Sequence, residues 1–234
     1  MMKIYPAASR FTSDHGWLKS HFSFSFAEYY DPNNVSFGSM RVLNDDVVQP
    51  LTGFGMHPHR DMEIVSIVLK GQLKHEDSEG NSEILRPGEV QRMTAGTGIV
   101  HSEMNPSSTE EVNFLQMWFM PNERGLQPSY EQKAYNQEAM KNHLLPVVSN
   151  LPQSEEVAYI HQDLTIYLSR LDSNKTLSFQ QEENRKMFFF VIEGDVILNQ
   201  DVKLKKRDSA RITDQPALTI QSDSGAFFML IDLA

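Results

Sequence analysis

The sequence contains no cysteine. Disulfide bonds, thiolate nucleophiles, iron–sulfur clusters and zinc–cysteine sites are therefore excluded. Long apolar runs are also missing, since the longest uncharged ones, Met187–Ile192 and Ala226–Ile231, are far too short to span a bilayer. The first residues, Met1–Pro6, lack the charged start and the apolar stretch of a signal peptide. We therefore expect a cytoplasmic protein without a membrane partner.

Positive charge is scarce as well. Lys and Arg number 21 against 31 Asp and Glu, which gives a formal net charge of −10. A chain this acidic binds nucleic acid poorly unless its basic residues cluster. The one tight basic run, Lys203–Arg207, contains no aromatic residue and is interpreted as a solvated strand end or turn. We expect no direct contact with nucleic acid.

Helical periodicity is weak throughout, and only Gln137–His143 is predicted as a short helix. Strand patterns dominate instead. The segment His21–Phe26 alternates polar and aromatic residues, which predicts a strand with three Phe side chains on one face. Many short strands separated by Gly and Pro turns indicate a β-sandwich or a closed barrel. The fold class predicted from the sequence is therefore all-β.

The two halves of the chain share a rhythm. In both Ile64–Leu73 and Met187–Val196 an apolar strand is followed by a charged residue, a Gly and a further strand. This pattern predicts two similar β-domains in tandem, residues 1–135 and residues 136–234. No histidine follows His161. If the halves are duplicates, only the first one keeps a metal site.

Two residue pairs point to that site: His57 with His59, and His101 with Glu103. Residues two apart in a strand share a face of the sheet. Two such strands side by side would direct three imidazoles and one carboxylate at one point. This is a nitrogen and oxygen ligand set for a divalent transition metal, and it suits Fe(II) as well as Cu, Co, Ni or Zn.

The other histidines are interpreted without a role in the site. His75 lies beside Glu76 and Asp77 at a predicted hairpin turn, which favours a surface position. The remaining ones are interpreted as structural or lack a partner at a useful spacing: His15, His21, His143 and His161.

The surroundings of these pairs resemble a known family. Gly53–Glu63 resembles the first motif of the cupin superfamily, and Arg86–Glu103 closely resembles the signature of the pirin family. The resemblance covers residues 3–132 and includes further motifs: Trp17–Leu18, Phe22–Phe26, Tyr30–Pro32, Asn105–Glu110 and Gln116–Asn122. It is closest to short bacterial pirin-like proteins that are named quercetin 2,3-dioxygenases.

The resemblance implies a bicupin, with two double-stranded β-helix (jelly-roll) barrels and a metal only in the N-terminal one. It implies metal ligands at His57, His59, His101 and Glu103. Typical cupins use the Glu of the first motif, here Glu63, as the fourth ligand, whereas pirins use the one that matches Glu103. We therefore expect Glu103 to be the ligand and Glu63 to support a ligand or to be structural.

The function that the resemblance implies is a metal-dependent dioxygenase that opens the central ring of a flavonol and releases carbon monoxide. Its substrates would be a small aromatic flavonol and dioxygen, its most expected metal Fe(II), and its catalytic base Glu103. The alternative is a metal-containing regulatory protein that binds a transcription factor or a metabolic enzyme and does not turn over a flavonol. Cupins host many chemistries, so the fold alone does not decide between these two.

Overall fold

The computed structural model of the protein describes residues 1–152 and 154–234, and these residues form an all-β structure, as predicted. The strands of the first half are β1 (Met2–Tyr5), β2 (Phe11–Asp14), β3 (Leu18–Phe22), β4 (Met40–Val48), β5 (Gly53–His59), β6 (Glu63–Lys70), β7 (Leu73–Asp77), β8 (Ser82–Leu85), β9 (Glu89–Thr94), β10 (Ile99–Met104), β11 (Val112–Phe119) and β12 (Ser129–Ala134). Those of the second half are β13 (Leu145–Ser149), β14 (Ala158–Tyr159), β15 (Leu164–Leu171), β16 (Lys175–Gln180), β17 (Lys186–Gly194), β18 (Val196–Leu198), β19 (Val202–Leu204), β20 (Ser209–Ile212), β21 (Ala217–Ser222) and β22 (Ala226–Leu233).

The chain divides into two compact units. The N-terminal unit consists of Phe11–Tyr135 and Asn150–Gln162, and the C-terminal unit consists of Met1–Arg10, Asn136–Ser149 and Asp163–Ala234. This division differs from a single cut between residues 135 and 136, because one short segment of each half belongs to the unit formed mainly by the other half.

Hydrogen bonds explain both differences. Strand β1 pairs with β20, so that Met2 lies opposite Ile212 in the C-terminal unit. In the N-terminal unit the carbonyl of Tyr159 accepts a hydrogen bond from Arg92 Nε at 2.6 Å, and Tyr159 N donates to Glu131 Oε2 at 3.0 Å. These hydrogen-bond partners are far apart in the sequence, so no local sequence pattern predicts them.

The N-terminal unit is built from two antiparallel sheets. The larger has the strand order β12-β9-β6-β11-β4-β3-β2, and the smaller has the order β5-β10-β7-β8. Buried apolar side chains from both sheets form one cluster between them: Leu18, Val48, Val68, Leu73, Leu85, Val112 and Phe114. Burial of this apolar surface holds the two sheets face to face.

The C-terminal unit repeats this plan. Its larger sheet includes, in order, β1, β20, β17, β22, β15 and β13, and its smaller sheet has the order β16-β21-β18-β19. The core between them is mainly aliphatic and includes a stacked aromatic pair, Phe189 of β17 and Phe228 of β22, at 4.8 Å between ring centroids. The similar rhythm of the two halves therefore corresponds to similar architecture.

Two local predictions need correction. The strand predicted over His21–Phe26 ends at Phe22, because the hydroxyl of Ser25 donates to the carbonyl of Asp31 and accepts from its N–H, which stabilises a turn in place of a ladder. The helix predicted over Gln137–His143 is a 3₁₀ helix, Gln137–Met140. A second 3₁₀ helix spans Ala7–Ser9.

In the described part of the chain, no helix has the length and apolar character needed to cross a membrane.

The glycine shared by the two repeated motifs has a physical cause. Gly71 and Gly194 have φ angles of 78° and 76°, which side chains other than Gly rarely adopt. A Cβ atom would lie 2.6 Å from the carbonyl oxygen of Glu111 at position 71 and 2.3 Å from that of Gly225 at position 194. Both positions therefore require Gly for its backbone freedom and for its small size.

We expect Gly71→Ala to destabilise the N-terminal unit more than Gly125→Ala does. Both residues have positive φ, but a Cβ at Gly125 would meet no atom within 4 Å. The control should cost about 1–2 kcal/mol for backbone strain, and Gly71→Ala a further ~1–3 kcal/mol for steric overlap. Urea unfolding followed by tryptophan fluorescence measures this, since both tryptophans, Trp17 and Trp118, belong to the N-terminal unit. Equal losses in the two variants would contradict the argument.

Candidate metal centre

The two histidine-containing pairs lie on neighbouring strands of the smaller sheet. Strands β5 and β10 are antiparallel, with His57 directly opposite His101 and His59 opposite Ile99. The expected side-by-side pairing of these strands is confirmed. Because alternate residues of a strand share one face, His57 and His59 project to the side on which His101 lies.

The three imidazoles converge closely. Each offers a ring nitrogen, and these three atoms lie within 4.8 Å of one another. The ring centroids of His57 and His101 are 4.4 Å apart, and His59 lies 4.8 Å from His57 and 4.9 Å from His101. Three neutral imidazoles at such spacing form a nitrogen donor set for a transition metal.

The hydrogen bonds of the rings leave suitable nitrogens free. His57 Nδ1 lies 2.8 Å from the carbonyl oxygen of Gly55, and since a carbonyl only accepts, Nδ1 carries the proton and Nε2 keeps a free lone pair. His101 Nε2 is buried and has no hydrogen-bond partner. A buried nitrogen without a partner is costly unless it has a ligand. These two atoms fit coordination of a metal.

The electrostatics of the cluster keep the imidazoles of His59 and His101 neutral. Burial, together with the neighbouring His57, lowers the pKa of His59 to about 4. Burial and the nearby histidines, His57 first among them, lower the pKa of His101 to about 2. Burial disfavours the charged form of an imidazole, and so does a second imidazolium nearby. Both rings are therefore in the neutral form that binds metals at neutral pH.

Glu103 is buried next to this group but is not a member of it. The ladder between β5 and β10 is irregular between His101 and Glu103, which places Glu103 opposite Phe54. Its Oε2 accepts a hydrogen bond from Gln116 Nε2 at 2.7 Å, and its Oε1 accepts one from Ser66 Oγ at 3.4 Å. Burial raises the pKa of Glu103. Its role as the fourth ligand stays a prediction.

Glu63 has different partners. It lies on β6 in the larger sheet, where its Oε2 accepts a hydrogen bond from the backbone N–H of His161 at 3.3 Å. Its Oε1 is 3.6 Å from His161 Nδ1, and that ring nitrogen is also 3.2 Å from Thr94 Oγ1. These contacts tie the segment around His161 to the N-terminal unit. A partner 98 residues away could not be found from local spacing.

The surface position predicted for His75 is wrong. Its side chain is fully buried, with Nε2 2.9 Å from Asp77 Oδ2 and Nδ1 3.4 Å from His101 Nδ1. Its ring is stacked on Tyr130 at 4.7 Å between centroids. The cause is strand parity: β7 pairs with β10, and His75 lies opposite Glu103. The spacing of His75 and Asp77, two residues apart, was the signal that could have revealed this.

The remaining histidines have local partners. His15 Nε2 lies 3.0 Å from Ser13 Oγ, and His21 Nδ1 lies 2.9 Å from Thr12 Oγ1. His143 is exposed, and its Nδ1 donates to the carbonyl of its neighbour Lys141 at 2.9 Å. These contacts agree with the structural interpretation of His15 and His21.

A cavity of about 230 Å³ lies in the N-terminal unit. Four of its lining side chains are aromatic: Trp17, Phe22, Phe26 and Phe54. Gln116, which hydrogen-bonds Glu103, also lines it, and the ring of Phe54 is 6.4 Å from that of His57. None of the three clustered histidines lines the cavity, and Phe54 and Gln116 connect the cavity to His57 and Glu103.

Comparison with known proteins agrees with this geometry. The Pirin family model matches residues 5–119, and the model of the quercetinase C-terminal cupin domain matches residues 147–233. Quercetin 2,3-dioxygenase of Escherichia coli strain K12 is 42% identical over 234 residues, which are 100% of this chain and 99% of the relative. A putative quercetin 2,3-dioxygenase of Mycobacterium tuberculosis strain H37Rv is 42% identical over 217 residues, 92% of this chain and 88% of the relative.

Solved structures give the same assignment. The crystal structure of YhhW from Escherichia coli has a TM-score of 0.95 and 41% sequence identity, and the match covers 100% of this chain and 98% of that one. The crystal structure of the bacterial pirin YhhW in complex with nickel(II) has a TM-score of 0.94 at 41% identity and covers 100% of this chain and 99% of that one. Two β-units of this plan define a two-domain cupin. The chain belongs to the pirin family.

One buried carboxyl group in the cavity wall, that of Asp46, should make the stability of the protein depend on pH. Burial raises the pKa of Asp46 to about 7, although a hydrogen bond from Ser20 opposes the shift. The unfolded chain ionises this group near pH 4 and the folded protein near pH 7, so its contribution to stability is full below about pH 4 and is lost as the pH rises to about 7. The ideal limit of this loss is on the order of 4 kcal/mol.

We therefore expect Asp46→Asn to gain stability relative to the wild type as the pH rises from 4.5 to 8. Urea unfolding of metal-free protein followed by tryptophan fluorescence measures the difference, and contributions from other groups cancel in it. Glu123→Gln, at an exposed position, is the control and should show a constant difference. A constant difference for Asp46→Asn would contradict the prediction.

Proposed function

We propose that this protein is a metal-dependent dioxygenase that opens the central ring of a flavonol and releases carbon monoxide. The observation that carries the proposal is the convergence of three imidazoles, one of which lies 6.4 Å between ring centroids from Phe54 in the wall of an aromatic cavity. The relatives that are named quercetin 2,3-dioxygenases support a flavonol as the substrate. Dioxygen is the second substrate, and both of its atoms enter the ring-opened product while C3 leaves as carbon monoxide.

Four residues would hold the metal: His57, His59, His101 and Glu103. A divalent transition metal held there would supply a Lewis acid for polarising an oxygen of the substrate. We assign Fe(II) first, and the same donors suit Cu, Co, Ni and Zn.

The cavity selects a flat aromatic molecule. Its aromatic rings provide faces and edges against which a flavonol ring system would pack. The volume of about 230 Å³ is slightly below the roughly 300–1,000 Å³ of common ligand pockets. We therefore propose a compact planar substrate instead of a glycosylated or otherwise extended one.

We assign to Glu103 the role of accepting the proton of the substrate hydroxyl. Since burial raises its pKa, its carboxylate is a stronger base than an exposed one. Trp118 Nε1 donates to Gln116 Oε1 at 3.0 Å, which turns Gln116 Nε2 towards Glu103 Oε2. This chain of bonds fixes one oxygen of Glu103. The other oxygen has only the long contact to Ser66, and it is the one that would serve as the metal ligand or as the proton acceptor.

We expect metal-loaded protein to consume quercetin in air and to release carbon monoxide. Protein loaded with Fe(II), Cu(II), Co(II) or Ni(II) is assayed by flavonol absorbance and by gas analysis. His57→Ala should lose the metal and the turnover, and Glu103→Gln should lower kcat by about 10²–10⁴-fold. His143→Ala removes an exposed histidine of the C-terminal unit and should change neither. Full metal occupancy without turnover would refute the dioxygenase and favour the regulatory alternative.

A second expectation concerns the cavity. Phe26→Leu keeps an apolar side chain but removes a lining ring, and it should raise KM about 2–10-fold while kcat stays nearly constant. The matched control is Phe11→Leu. Phe11 and Phe26 both contact the ring of Phe22, at 5.9 and 5.2 Å between centroids, but Phe11 is not a cavity residue. An equal change of KM in both variants would show that the rings act through packing alone.

A further inference from the structure

We propose that His75 and Asp77 orient His101 towards the metal through two successive hydrogen bonds, and are thus positioning residues of the metal centre. The inference rests on the proposed metal site and adds two residues that influence the affinity of this site for the metal. The two residues are two apart on β7, in the strand that pairs with β10 on the side away from β5.

The burial of this pair calls for an explanation. The side chains of His75 and Asp77 are both 0% exposed. Burying a carboxylate and an imidazole has a cost in desolvation, and apolar side chains would fill the same space without it. The ring of His75 is also held in place by stacking on Tyr130. A buried and fixed polar pair beside a ligand is typical of residues that orient the ligand.

The direction of the hydrogen bonds follows from the chemistry of each atom. Coordination through Nε2 requires the proton of His101 to be on Nδ1, so that Nδ1 donates to His75 Nδ1 at 3.4 Å. His75 then carries its own proton on Nε2, which donates to Asp77 Oδ2 at 2.9 Å. Gln91 Nε2, a donor only, approaches the same Nδ1 of His75 at 3.5 Å. This agrees with Nδ1 acting as an acceptor.

Asp77 is fixed as an acceptor at the other end. Its Oδ1 accepts from the backbone N–H groups of Glu79 and Asn81, each at 3.0 Å, and from Asn81 Nδ2 at 3.1 Å. Its Oδ2 accepts from Asn81 Nδ2 at 2.9 Å as well as from His75. A turn with this many donors holds the carboxylate in one orientation, and the carboxylate in turn selects one tautomer of His75.

His57 shows the contrast. Its Nδ1 is oriented by the carbonyl of Gly55, two residues before it in the same strand. The orientation of His101 depends on side chains of another strand, and substitutions there can change it without touching a ligand. Loss of such a partner commonly lowers metal affinity about 10–100-fold.

The test measures Ni(II) affinity by competition with a chromophoric chelator, together with the EPR spectrum of the Cu(II)-loaded protein. His75→Leu removes the acceptor and should weaken Ni(II) binding about 10–100-fold. His75→Asn retains an acceptor oxygen near the position of Nδ1 and should stay within about threefold of the wild type. The Cu(II) spectrum should change in the Leu variant and be nearly preserved in the Asn variant.

Asp77→Asn gives an independent measurement. Its amide oxygen is needed by the N–H groups of Glu79 and Asn81, so that its NH₂ group faces His75 Nε2. The proton of His75 then moves to Nδ1, where it opposes the proton of His101, and Ni(II) binding should weaken as in His75→Leu. Tyr130→Phe keeps the stacked ring and serves as the matched control, with unchanged affinity expected.

Two results would overturn the inference: wild-type affinity in both His75→Leu and Asp77→Asn, or equal losses in His75→Leu and His75→Asn. The second result would show that His75 acts by packing alone, and thermal melting of the metal-free variants identifies any loss of folding. A wild-type protein that binds Ni(II) at His57, as judged by loss of binding in His57→Ala, but does not turn over a flavonol would refute the proposed function and leave this inference intact.

Discussion

His57 lies directly opposite His101 in the antiparallel pair formed by β5 and β10, and the geometry of the candidate metal centre depends on this register. A slip of one residue would turn every side chain of a strand to the other face of the sheet. Gly53 allows the close approach of the two strands at the start of β5, since a Cβ there would lie 2.3 Å from the carbonyl oxygen of Glu103. A larger residue would force the strands apart and would move His57 relative to His101.

Burial of the side chains on these paired strands determines the protonation states of the histidine cluster. Three imidazoles 4.4–4.9 Å apart cannot all carry charge, and burial adds a cost to each charge. The protons therefore occupy Nδ1 atoms that have acceptors, as in His57, and a nitrogen such as Nε2 of His101 has no partner in the protein. The same burial raises the pKa of Glu103, so one environment favours both neutral imidazoles at His59 and His101 and a carboxyl group with increased proton affinity.

The sequence predicted the all-β fold and the pairing of the two ligand strands because the histidine pairs obey the two-residue period of a strand. It could not predict the irregular ladder between His101 and Glu103, since an extra residue on one strand leaves no mark in local spacing. The buried position of His75 was missed because its charged neighbours suggested an exposed turn. In the structure these residues lie in β7, where alternate residues face inwards and His75 is one of them. The division into units depends on partners as distant as Met2 and Ile212.

The C-terminal unit has the same sheet order but carries apolar side chains on the two strands that are paired in the same way. Its smaller sheet, β16-β21-β18-β19, corresponds in order to β5-β10-β7-β8, and Leu177 and Phe179 of β16 lie opposite Ile220 and Leu218 of β21. All four side chains belong to or pack on the apolar core. Each fully buried side chain of this kind contributes roughly 1.5–3 kcal/mol, whereas buried imidazoles without a ligand contribute a penalty. In the N-terminal unit the strand with the same place in the sheet order, β5, carries His57 and His59. A ligand that bound only the folded protein through these side chains would stabilise it.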